Sequence, residues 1–122
     1  MSTCQQIERV LIPELRCVDG YEICGNSDVH VRNAQIYANL SERGCADNSA
    51  KYKELAKQEL EIARALNDDN VDKYRDESIE MVETYKRLKM QQEAEKMIEK
   101  AKKLTNPAID FIIQLEKIIE ED

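Results

Sequence analysis

Tryptophan is absent from this chain of 122 residues, phenylalanine and histidine occur once each, glycine three times and proline twice. Each shortage excludes something. Sheets need turns, and turns need glycine and proline, so five such residues argue against a β-rich fold. The glycines (Gly20, Gly25, Gly44) stand alone, which removes a glycine-rich phosphate loop. A single histidine, His30, leaves few routes to ordinary acid–base catalysis and reads as a surface residue near a helix start. There is no C-x2-C knuckle, no E-x-x-H pair and no stretch near the roughly 18 apolar residues of a membrane span. Positive charge is also short: 18 Lys and Arg stand against 25 Asp and Glu, a net of −7. Binding to nucleic acid or membrane through an overall positive field is thereby excluded, and the five tyrosines lack basic surroundings to serve as nucleobase platforms.

What is present is helical. The chain is expected to be all-α: one domain of antiparallel helical hairpins, five to six helices stacked into a small bundle or repeat-like array. Its two parts differ in character, a cysteine-containing hairpin over 1–48 and repeat-like helices with a C-terminal capping helix over 49–122. Ser2 or Thr3 opens a capping box with Gln5 or Gln6, followed by Ile7, Val10, Leu11, Leu15 and Val18, with a kink or restart at Pro13. Asp19-Gly20 ends that segment. Ser27 or Asp28 caps a second helix through Arg43, with Gly44 at a left-handed terminus. A third runs over 49–66.

Beyond it, Val71, Tyr74, Ser78, Met81, Tyr85 and Leu88 repeat at three and four residues, and a new stripe starts at Met90, Ala94, Met97, Ala101 and Leu104. The step from Leu88 to Met90 turns the apolar face by about 200°, which a hairpin turning near 89–92 explains. Asn106 and Pro107 open a last helix that is apolar around more than half its circumference, fit to close the domain or to meet a second copy of the chain. Asp68-Asp69-Asn70-Val71-Asp72 has the start of a calcium loop, but Lys73 and Ile79 stand where that loop needs glycine and a carboxylate.

Four cysteines lie in the first 45 residues. Antiparallel packing of the first two helices would set Cys4 opposite Cys45, with Cys17 and Cys24 flanking the connection, so that two nested disulfides staple the hairpin. Such bridges require an oxidising compartment, periplasmic or extracellular, and hence a mature chain whose export signal has been removed. The alternatives are free thiols in a cytoplasmic protein, or a metal site using Cys17, Cys24, His30 and Cys45.

Tyr85, Glu93-Ala94, Ala101 and Pro107 resemble the tetratricopeptide repeat, a helix-turn-helix unit of about 34 residues, over 75–107. Ala56 and Ala63 before Leu66-Asn67-Asp68 echo the same seven-residue step, so the likeness covers about 50–107. Val82 replaces the family's small residue and Lys89 its turn glycine. The resemblance implies a scaffold that binds a protein or peptide on a concave face lined by Asp76, Ile79, Glu83, Lys86 and Arg87. Ile79 and Glu83 occupy the places of the Lys and Asn that grip a peptide carboxylate in some members, which argues against that ligand. The functional expectation is a non-enzymatic binding module without cofactor, nucleic acid or membrane insertion. The competing readings are an acidic inhibitor that mimics nucleic acid and a thiol-based metal-binding protein.

Overall fold

The computed structural model describes residues 2–18, 24–104 and 106–121. Among them are six α-helices: α1 Thr3–Leu11, α2 Ser27–Arg43, α3 Ser49–Leu66, α4 Arg75–Arg87, α5 Gln91–Lys102 and α6 Ile109–Glu120. The all-α expectation and the helix count stand, whereas the expected break at Asp19-Gly20 lies outside the described residues. The chain groups into two compact units, Met1–Leu66 and Asn67–Asp122, with α3 in the first. The reason is that α3 spends its apolar face on α2. Ala34, Ala38, Ala56 and Ala63 are all fully buried, and such small side chains let two helices approach closely.

In the first unit, α1 opens with the expected box: Ser2 Oγ accepts from the Gln5 amide at 3.4 Å, and Gln5 Oε1 accepts from the Ser2 amide at 3.0 Å. The stripe through Val18 does not continue, because Pro13 falls in a short 3-10 turn over Ile12–Glu14 and Leu15 is extended. No residue of α1 is buried. Asn26, not Ser27 or Asp28, is the N-cap of α2. Gly44 is not left-handed, with φ −74°. It is needed for space, since a Cβ there would stand 2.5 Å from the Leu40 carbonyl oxygen.

The second unit begins with a sharp break at Asp68 and Asp69, both at positive φ, a conformation aspartate tolerates better than most residues. The Asn67 side chain accepts from the Asp69 amide at 3.1 Å and Ser78 Oγ donates to the Val71 carbonyl at 3.1 Å. The α4–α5 hairpin turns at 88–90, with Lys89 at φ 63°. The middle of both expected stripes faces inward: Met81, Tyr85 and Leu88 are buried on one side of the turn, Ala94, Met97 and Ala101 on the other, whereas Leu104 at the end of the second is exposed. Helix α6 starts two residues later than Asn106-Pro107 suggests, at Ile109 with Ala108 as N-cap. It buries Phe111, Ile112 and Leu115, and the Arg75 guanidinium lies 5.4 Å over the Phe111 ring.

Candidate functional site

The four cysteines come together as two pairs at disulfide distance, Cys4 with Cys45 and Cys17 with Cys24, with Cα atoms 4.8 and 5.9 Å apart. The connectivity is the nested one that two antiparallel helices imply. It also separates Cys45 from Cys17, Cys24 and His30, so the metal set drawn from those four residues does not form; among the described residues no group of three potential ligands is poised for a metal.

Behind the shorter loop lies a polar cluster that the reading of His30 as a surface residue does not anticipate. His30 is 1% exposed, not on the surface, and faces Glu59 from the neighbouring helix. Its Nδ1 is 2.6 Å from Glu59 Oε2 and its Nε2 3.1 Å from the Cys24 carbonyl. Beside it, buried Asn33 pairs with the backbone of Arg16 in both directions: its Oδ1 accepts from the Arg16 amide at 3.0 Å, and its Nδ2 donates to the Arg16 carbonyl at 2.6 Å. The same amide reaches Glu59 Oε1 at 3.4 Å. These side chains fasten the backbone on both sides of the Cys17–Cys24 loop to α2 and α3. Burial, reinforced by the charge of Glu59, raises the pKa of the nearby Tyr37 phenol.

A second polar junction ties α1 to α3. Tyr52 Oη donates a short hydrogen bond to Glu8 Oε2, and Asn48 Nδ2 donates to the same oxygen at 3.0 Å. The bond from Tyr52 is the main reason that the Glu8 carboxyl lies below its ordinary pKa, with Asn48 adding to it. Desolvation and the bond to Glu8 push the Tyr52 phenol up to about 12. The rings of Tyr37 and Tyr52 stack at 6.4 Å between centroids.

The five residues assigned to a binding face share a sector of about 100° on α4. Asp76, Glu83 and Arg87 are exposed and Ile79 half-buried. Lys86 is committed elsewhere, since its Nζ donates to the Ile118 carbonyl at 2.6 Å and ties α4 to the end of α6. Two of the three aspartates of the calcium-like run are likewise engaged with cations: Asp72 accepts from Arg75 and Asp69 from Lys100, both at 2.6 Å. No helix is long and apolar enough to cross a membrane among the described residues. Comparison with family models, with curated proteins and with solved structures gave no significant match.

Proposed function

We propose that the chain is a non-enzymatic binding module for a protein or peptide, with its N-terminal unit stapled by two disulfides and working in an oxidising compartment. The observation that carries this reading is the distribution of polar and apolar groups. Its only histidine has both ring nitrogens committed inside the fold, one to the Glu59 carboxylate and one to the Cys24 carbonyl, while large apolar side chains stand outside, Val10 at 67% and Ile109 at 60% exposure. Apolar surface gains free energy by being covered, and a histidine that is 1% exposed with both ring nitrogens occupied is closed to a substrate.

The resemblance to a tetratricopeptide repeat supports the same reading. Tyr85, Ala94 and Ala101 are buried inside a helical hairpin, and Asp76, Ile79, Glu83 and Arg87 lie on the outward side of its first helix. The test is selection of peptides from a displayed library against the oxidised chain, followed by calorimetry on the enriched sequences. Binding that weakens at least tenfold in D76K/E83K is expected. Failure to enrich any sequence, or affinities unmoved by every surface variant, would refute the reading. Alkylation before and after reduction, read by mass spectrometry, tests the staples: four thiols reacting without reductant would remove them from the proposal.

A further inference from the structure

Within the second unit, α5 and α6 leave a groove of about 440 Å³ with Ile98 and Ile119 in its lining. Glutamates line both sides, Glu95 and Glu99 on α5, Glu116 and Glu120 on α6. The one cation among them is Lys102, whose Nζ is 3.6 Å from a carboxylate oxygen of Glu99 and of Glu116. It braces the two helices and leaves the groove strongly negative, because Glu95 meets only a neutral neighbour in the Gln91 amide, at 3.1 Å. Exposed ion pairs like these contribute little and exchange readily with an incoming cation.

The groove also continues as a stripe. At 100° per residue, Ile109, Ile113, Glu116 and Glu120 fall within about 60° of one another on α6. Ile109 is 60% exposed and Ile113 45%. The stripe is therefore apolar over its first two turns and acidic over the next two. A ligand that covers it must bring apolar side chains to one half and cations to the other.

Resting on the binding-module reading, we infer that the α5–α6 groove docks a basic amphipathic helix of a partner protein, its apolar residues on Ile109 and Ile113 and its Lys or Arg residues on the glutamates. Charge complementarity selects this occupant over a second copy of the chain. A two-fold contact through the same stripe would set the glutamates against isoleucines or against one another, never against cations, in a molecule of net charge −7.

The test titrates a Leu/Lys peptide of about four helical turns, amphipathic by design, into the oxidised full-length chain. Two controls accompany it, a scrambled peptide of the same composition and a Leu/Glu counterpart. The expected result is saturable binding with amide shifts on α5 and α6, at least tenfold weaker for E95K/E120K and for both control peptides, and unchanged for E54K/E61K, an equal charge reversal at exposed positions of α3. Equal affinity for the scrambled peptide would reduce the effect to net charge and overturn the inference. So would affinity indifferent to E95K/E120K. Self-association by sedimentation that is lost in I113D would assign the groove to a second copy instead. Binding that follows D76K/E83K rather than E95K/E120K would sink the groove while leaving the binding module intact, whereas failure of the peptide selection as well would sink both.

Discussion

Glu8 and Tyr52 show how one residue pair couples stability to pH at both ends of the scale. The Glu8 carboxyl is lowered from 4.5 in the fold, so its contribution is complete above that value and is lost as pH falls through the lowered one. The Tyr52 phenol is raised from 10.0 to about 12, so the unfolded chain ionises first and stability falls as pH rises through that window. Melting temperatures of the E8Q and Y52F variants, followed by circular dichroism across the pH range, check this. E8Q is expected to lose the part of the acid limb that Glu8 supplies, and Y52F to flatten the alkaline one between 10 and 12. At this scale the sequence was least legible. Glu59 is in helical phase with Tyr52, Ala56 and Ala63, and His30 lies one residue from Val31 on a helix with a very broad buried face. Phase alone marks such residues as buried. Their partners were hidden, because Cys24 and Arg16 contribute backbone groups that carry no side-chain signature.

Elements were read more easily than residues. The rotation of the apolar stripe between Leu88 and Met90 is a local property of the chain, so the α4–α5 hairpin was visible without its partners. The nested cysteine pairs followed from the same hairpin logic applied to the first 45 residues. The boundary after Leu66 was not visible, because both sides of it are equally amphipathic and only the choice of partner by α3 separates them. The hairpin turn itself carries an expected gain. Lys89 is left-handed at φ 63°, a conformation that costs a residue with a Cβ about 1–2 kcal/mol. Glycine removes that cost and returns about 0.4–1 kcal/mol of chain entropy to the unfolded state. K89G should therefore stabilise the fold by about 0.5–1 kcal/mol in urea denaturation, and no change or a loss would show that the Lys89 side chain is holding the turn.

Both cysteine pairs lie in the first of the two compact units. The Cys4–Cys45 bridge spans 41 residues, which by loop-closure entropy is worth about 4 kcal/mol; the Cys17–Cys24 bridge spans 7, worth about 2.5 kcal/mol. Reduction should accordingly raise amide hydrogen exchange in α1 and at the start of α2, and leave the protection of α4, α5 and α6 close to its oxidised level. Exchange that rises equally throughout would mean that the two units unfold as one.

A helix that buries none of its residues, yet is fixed by a covalent bond near its first turn and by a carboxylate midway along, is freed from the usual composition rules of a core. Thr3, Gln6 and Val10 of α1 answer to whatever lies outside the protein and hardly to the inside. Substitutions at these sites should therefore leave the melting temperature of the oxidised chain nearly unchanged, because the Cys4–Cys45 pair supplies the anchorage that a helix in a larger domain obtains from bulk.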